Sequence, residues 1–318
     1  MTKSKSDTPT DPEKWTAVGF LDEFMRIHQT MEDRSFAFLL GAGASVTSGI
    51  PAGGTLARRW VEELYRRHVG ENAEISLADW ATPENLGIPG FRLDQAATFY
   101  AQVYDKRFGD DPESGYAYLE NEMSAADPNI GYSILAQVLE KTRHKVVITT
   151  NFDNLVADAL SIYTSTFPLV CGHESLTGFV RPKLRRPLVA KVHRDLLLAP
   201  KSGSASTSTL DERWTDVLRR LLEEYTLIII GYGGNDGSLM DFLEKLESEE
   251  IPGGMYWCYR VADGLPNEQI RLVAAHKGKL IPVVGFDELM VQLGERLEYK
   301  LLAEAIEHKA RKRAKRYR

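Results

Sequence analysis

Two apolar patterns alternate along this chain. One is the short unbroken run rich in β-branched and aromatic residues; the other is the longer stretch where apolar positions recur at i, i+3 and i+4. The first reads as buried strand and the second as amphipathic helix. Strand runs stand at Phe36–Leu40, Lys145–Thr150, Leu188–Val192, Leu227–Ile230, Met255–Tyr259 and Lys279–Val284. Helical spacing covers Trp15–Thr30, Leu56–Tyr65, Tyr132–Leu139 and Ser238–Glu247. Strands separated by helices imply βαβ units, so the expected class is α/β with a Rossmann-like, mostly parallel sheet flanked by helices.

The spacing of these elements sets the domain organisation. From about Thr55 to Arg143 helix follows helix with few strand signals, which predicts a helical insertion forming a smaller subdomain. Within it, Leu77–Pro89 is richer in turn formers and is expected to be a loop. Residues 1–14 are polar and read as a flexible arm, 15–295 as the α/β domain, and 296–318 as a C-terminal helix with a basic tail. The polar stretch Lys201–Thr209 is expected to be mobile.

Composition narrows the class without naming a function. At 318 residues, 43% hydrophobic and 26% charged, the chain is ordinary globular material with ample core. Its net charge of −6 argues against a general polyanion binder. Two cysteines, Cys171 and Cys258, make neither a disulfide framework nor a four-cysteine zinc site, and a reduced cytoplasm fits best. The polar start carries no signal peptide, no apolar run approaches a membrane span, and no membrane association is expected.

The most informative segment closes the first strand run. Gly41-Ala42-Gly43-Ala44-Ser45 follows Leu40, and small residues there let the backbone turn tightly and a ligand approach. A strand, glycine turn and helix in succession present free N–H groups to a pyrophosphate, so a dinucleotide is the first ligand to consider. The third glycine of G-x-G-x-x-G is missing at Val46, and no acidic residue stands about 20 residues on in a clear second strand, which disfavours a hydride-transferring dehydrogenase.

Three further segments sit at the carboxyl ends of strand runs, where a doubly wound sheet places ligands. They are Thr149-Thr150-Asn151-Phe152-Asp153-Asn154, Lys191-Val192-His193-Arg194-Asp195 and Gly231-Tyr232-Gly233-Gly234-Asn235-Asp236. Each has a bland alternative: Asp153, Asn154, Asn235 and Asp236 can cap the next helix, His193 can be structural, and Tyr232 can be core or site wall. Other features weigh less. Arg185-Arg186-Pro187 reads as a solvated turn, Cys171 and His173 lack further metal ligands, and Tyr256–Tyr259 reads as strand core. The basic run Lys309–Arg318 is either a solvated helix end or a contact for nucleic acid or an acidic partner.

Taken in order, these motifs resemble the sirtuin family, and more closely its bacterial sirtuin-like branch. Gly41-Ala42-Gly43-Ala44-Ser45 with Gly49-Ile50-Pro51 matches GAGxS…GIP; Thr150-Asn151-Phe152-Asp153 stands where the family carries Q-N-I-D. His193 and Gly231-Tyr232-Gly233 match the catalytic His and the late glycine-rich turn. The resemblance spans about residues 30–295. Protein deacylases continue GIP with D-F-R where this chain has Ala52-Gly53-Gly54, their zinc module needs cysteine pairs absent here, and Arg194 replaces the usual glycine after the His.

The resemblance implies an NAD⁺ glycohydrolase of antiphage defence that releases nicotinamide and ADP-ribose, with NAD⁺ as substrate and no metal. It implies Asn151, His193 and Asp153 as catalytic residues. The nucleotide would be held by Gly41, Ala42, Gly43, Ser45, Ile50, Pro51, Thr150, Gly231, Tyr232, Gly233, Asn235 and Asp236. Restraint by a homo-oligomer or a partner, a HerA-type ATPase or a short Argonaute, is expected. A non-catalytic NAD⁺ or ADP-ribose sensor and a protein-lysine deacylase remain the alternatives.

Overall fold

The structure is a computed structural model that describes residues 11–70, 74–299 and Arg311. Seven strands, β1 (Ser35–Leu40), β2 (Val146–Thr149), β3 (Leu169–Cys171), β4 (Leu188–Lys191), β5 (Tyr225–Ile230), β6 (Met255–Arg260) and β7 (Gly278–Val283), form one sheet. Their spatial order is β3-β4-β2-β1-β5-β6-β7, and every pairing is parallel. The order runs one way from β1 through β2 and the other way from β5, so the switch point of this Rossmann-like sheet lies between β1 and β5.

The strands are apolar on both faces because helices cover both. Phe36, Phe38 and Leu40 of β1 pack with α1 (Ala17–Thr30), α7 (Ile130–Lys141), α8 (Leu155–Tyr163) and α12 (Phe286–Arg296). The alternate residues Ala37 and Leu39 pack with α9 (Glu212–Leu222), α10 (Gly237–Lys245) and α11 (Glu268–Lys277). Strand period thus sorts one sequence run into two cores.

The helices of the insertion gather on a third core of their own. They are α2 (Gly53–Val69), the one-turn helices α3 (Leu77–Trp80) and α4 (Pro83–Leu86), α5 (Tyr100–Phe108) and α6 (Pro112–Met123). Fully buried Trp60 is ringed by Tyr100, Tyr104, Phe108 and Tyr118, and Phe152 joins this core from beyond β2. Aromatic bulk lets a small helical unit bury enough surface to hold together.

Several expectations are corrected. The 77–89 stretch is not a plain loop: Ser76 and Thr82 cap two single helical turns by accepting from Asp79 N and Asn85 N. The three-residue edge strand β3 is too short to stand out in the sequence. The arm is not wholly loose, since Leu280 N donates to Glu13 O and Trp15 N donates to Leu280 O, sealing the β7 edge. The 201–209 stretch is tied down: Ser204 donates its N–H to Asp105 Oδ2 at 2.9 Å, and Ser202 is buried. The basic tail lies outside the described residues except for Arg311.

Candidate active site

A cleft of about 400 Å³ opens between the carboxyl edge of the sheet and the helical unit. Ala42, Gly43, Ser45, Ile50, Pro51, Thr150, Asn151, Asp153, His193, Gly231, Tyr232, Gly233, Asn235 and Asp236 all line it. Segments scattered over the chain converge there because each follows a strand of one parallel sheet. Among the residues proposed from sequence, Gly41 stands apart. It lies behind the wall, where its N–H donates to Ile230 O.

The two glycine turns pack directly on one another across the switch point. A Cβ on Gly41 would lie 2.5 Å from Gly231 O, and one on Gly43 would lie 2.8 Å from Gly231 Cα. Gly231 has φ +68°, and a Cβ there would lie 2.4 Å from Ala44 N. Glycine is needed here first for turn against turn.

This packing also corrects the picture of a helix N-terminus aimed at the ligand. Two three-residue 3₁₀ turns, Ala42–Ala44 and Val46–Ser48, follow β1, and α2 begins only at Gly53. The N–H groups of Gly43, Ala44 and Ser45 are given to Gly231 O, Gly41 O and Ala42 O. The N–H groups of Ala42, Gly233, Gly234 and Asn235 have no acceptor among the described residues. Free donors therefore sit mainly on the second turn, bent by Gly231 and by Gly234 at φ +64°.

Ser45 is likewise reassigned. It is fully buried, and its Oγ donates to Asp153 Oδ2 at 2.8 Å. Having spent its single proton, it accepts from Tyr132 OH at 2.9 Å and from Asn151 Nδ2 at 3.0 Å. One donor and two lone pairs are all a hydroxyl has, so no capacity remains for a phosphate. Burial pushes the Tyr132 phenol well above its usual range, which keeps it a donor.

That network fixes Asn151. Its Nδ2 also donates to Gly41 O at 3.1 Å, and a carbonyl can only accept, so the amide orientation is settled. Both N–H bonds are spent, which leaves Oδ1 as an open acceptor on a residue of the cleft wall. Asp153 acts behind it: Oδ1 accepts from Leu155 N at 3.1 Å, capping α8, while Oδ2 holds Ser45. Burial raises the Asp153 carboxyl, against the pull of these donors.

His193, 6% exposed, places Nε2 at 2.8 Å from Ser238 Oγ, and Ser238 donates to Asp236 Oδ1 at 2.9 Å. With the serine proton given to Asp236, Nε2 must be the donor to Ser238, and Nδ1 is the basic nitrogen. Asp236 also caps α10 through Leu239 N at 2.8 Å and accepts from Tyr232 OH at 2.6 Å. Burial alone would raise this carboxyl, but the His193 ring, the phenol and the N–H together hold it at about 2. Tyr232 is both wall and core, its ring centroid 5.8 Å from that of Trp257 with the planes tilted by 32°.

Arg194, the departure nearest the site, has φ +70°, so the backbone bends as a glycine would allow. Its side chain turns to Glu174, with Nε 2.9 Å from Oε2, and it is not among the residues lining the cleft. The glycine pair after Pro51 has a similar explanation. A Cβ on Gly53 would lie 3.3 Å from the Tyr100 ring, and one on Gly54 would lie 3.0 Å from Ala97 Cβ, so both admit the helical wall of the cleft.

Sequence reading missed Tyr132 and Ser238, and it placed Lys191 in a strand-end segment without giving it a role. Lys191 is 1% exposed and donates to Phe152 O at 2.7 Å, Asn154 Oδ1 at 2.8 Å and Asp195 Oδ2 at 2.6 Å. It ties the loop after β2 to the loop after β4, and burial lowers its ammonium pKa. A lysine closing the apolar run Leu188-Val189-Ala190 was the available signal.

Residues 145–279 match the family model of the SIR2-like domain. Among curated proteins none matches this chain in sequence. Solved structures similar to it include a Sir2 homologue complexed with NAD, at 14% identity and TM-score 0.47 over 92% of this chain and 100% of that one. Another is an ADP-ribose complex of a mutant Sir2 homologue, at 18% identity and TM-score 0.46 over 88% and 99%. A third is Sir2Tm bound to a propionylated peptide, at 15% and TM-score 0.43 over 88% and 99%. Among the described residues no cluster of His, Cys, Asp or Glu is placed to hold a metal ion, and no helix is long and apolar enough to cross a membrane.

Proposed function

We propose that this chain is an NAD⁺ glycohydrolase that cleaves the nicotinamide–ribose bond to give nicotinamide and ADP-ribose. The carrying observation is that Asn151, with one acceptor oxygen left open, shares a cleft with His193 and the free N–H groups of Gly233, Gly234 and Asn235. The N–H groups of the second turn and of Ala42 suit a pyrophosphate. Nicotinamide departs as a neutral molecule from a cationic ring, so departure needs no general acid. What the site must supply is stabilisation of an oxocarbenium-like ribose and a positioned water.

Asn151 Oδ1 is suited to hold the water or a ribose hydroxyl, and His193 to accept the water's proton while Ser238 and Asp236 orient its ring. Asp153 is a positioning residue that acts through Ser45. Arg194 in place of glycine is what keeps a non-catalytic sensor in play, and its side chain, turned to Glu174, gives that reading no support. We place the activity in antiphage defence, restrained by self-assembly or by a partner such as a HerA-type ATPase or a short Argonaute, because unchecked loss of NAD⁺ would kill the host. The test is chromatographic nicotinamide release from NAD⁺, with and without the product of the neighbouring gene. Release that disappears in Asn151→Ala and His193→Ala is expected. NAD⁺ binding without turnover in any assembly refutes the hydrolase, and release that depends on an acyl-lysine peptide points to deacylation.

A further inference from the structure

The cleft wall carries a cation that the chemistry above leaves unused. Among the described residues that line the cleft, Lys201 is the only lysine or arginine, against the carboxylates of Asp153, Asp236 and Asp263. It belongs to the 201–209 strap, which follows the His193 segment, and to neither glycine turn. The strap is held at three places. Lys201 N donates to His193 O at 2.9 Å, and Ser204 N donates to Asp105 Oδ2 of α5 at 2.9 Å. Ser208 abuts the start of α10, where a Cβ on Gly237 would lie 3.1 Å from Ser208 O. The Lys201 backbone is thus anchored, while among the described residues no hydrogen bond or ion pair engages its side chain. The carboxylates that feel its charge, Glu174 and Asp211, are already gripped by Arg194 and Arg213.

We infer that Lys201 is the counter-ion for the diphosphate of the bound nucleotide, so that the strap, and not the glycine turns alone, forms the anion-binding wall. This inference rests on the NAD⁺ reading above. A diphosphate brings two negative charges into a cleft already lined by carboxylates, and like charges gathered without a counter-ion are costly. The free N–H groups of Ala42, Gly233, Gly234 and Asn235 offer dipoles but no full charge. Lys201 supplies that charge as a compact ammonium on a flexible stem. The strap also meets the second turn where a shared phosphate would sit. Ser208 touches Gly237 and His193 donates to Ser238, both just beyond Asn235. One anion can therefore take the N–H groups of the turn from one side and Lys201 Nζ from the other.

The test is the calorimetric Kd for ADP-ribose on the full chain, at low and at high potassium chloride. Loss of a charge-assisted contact to phosphate should weaken binding by about 10- to 100-fold in Lys201→Ala, and Lys201→Arg should restore it to within about threefold. Affinity of the unaltered chain should fall as salt rises, and that of Lys201→Ala should fall less, which a lysine with a purely structural role would not produce. In the assembly that turns NAD⁺ over, KM should rise by the same factor with kcat nearly kept, since the contact is made equally in ground and transition states. ADP-ribose affinity unmoved by Lys201→Ala, a loss that Lys201→Arg does not repair, or one salt dependence shared by both proteins overturns the inference while sparing the NAD⁺ reading. Failure of the unaltered chain to bind ADP-ribose or NAD⁺ at all overturns both.

Discussion

Replacing Arg194 by glycine sets two effects against each other in one residue. At φ +70° an arginine is strained by about 1 kcal/mol relative to glycine, so Arg194→Gly relieves that strain. The same change strips Glu174, 4% exposed, of its forked partner. Hydrogen bonding from that guanidinium holds the Glu174 carboxyl at about 2 against an ordinary value near 4.5, and one pKa unit is worth about 1.4 kcal/mol. The pairing is thus worth about 3 kcal/mol at most. With the Arg194 side chain 25% exposed, solvent screening reduces this to about 2. Arg194→Gly should then cost about 1 kcal/mol net at pH 7. Arg194→Ala, which keeps the strain, should cost about 2.

The pH dependence carries the check on cause. A depressed carboxyl stabilises the fold above its unfolded pKa, and that stability is lost as pH falls from about 4.5 through about 2. Urea melts of the three proteins at pH 7 and pH 3 should show the gaps shrinking at the lower pH. If Arg194→Gly equals or exceeds the unaltered chain at pH 7, or if the gaps persist unchanged at pH 3, the pairing does not hold this loop.

Gly231→Ala combines a positive φ with a Cβ 2.4 Å from Ala44 N, and should lower stability by about 2–3 kcal/mol and weaken ADP-ribose binding, read by thermal melts and calorimetry. Lys191→Met leaves three acceptors of the β2 and β4 loops unpaired, and should slow nicotinamide release at least about tenfold while the far-UV spectrum is kept. His144 is buried with its ring beside His28 at 3.1 Å, and burial holds its pKa at about 2. A depressed histidine must stay neutral to fold, so stability should decline by up to about 1.4 kcal/mol per unit as pH falls from about 6.5. His144→Asn should flatten that slope in denaturation series.

How far the sequence foretold this depended on whether a residue's task is local. β1, β5 and β6 were legible because a strand buried on both faces must be apolar throughout, as Leu227–Ile230 is. β3 was not, because three residues at an edge leave no pattern. The cleft-lining residues were legible as motifs following strands, but their partners were not. That Ser45 is saturated by Asp153, Tyr132 and Asn151 depends on side chains brought together only by the completed sheet. Arg194 stood out as a replacement of glycine, but sequence conveys a side chain's size and not its direction.

The interlock of Gly41 and Gly43 with Gly231 bears on when the protein can first act. The two turns belong to β1 and β5, neighbours in space but far apart in the chain, so neither turn holds its shape until the central pairing closes. Long-range parallel pairing is a late and slow event in folding. A nascent chain still short of Gly231 therefore holds only half of the nucleotide cradle. Under the proposed function, the chain would stay inert throughout its own synthesis, with topology alone delaying its activity until the fold is complete.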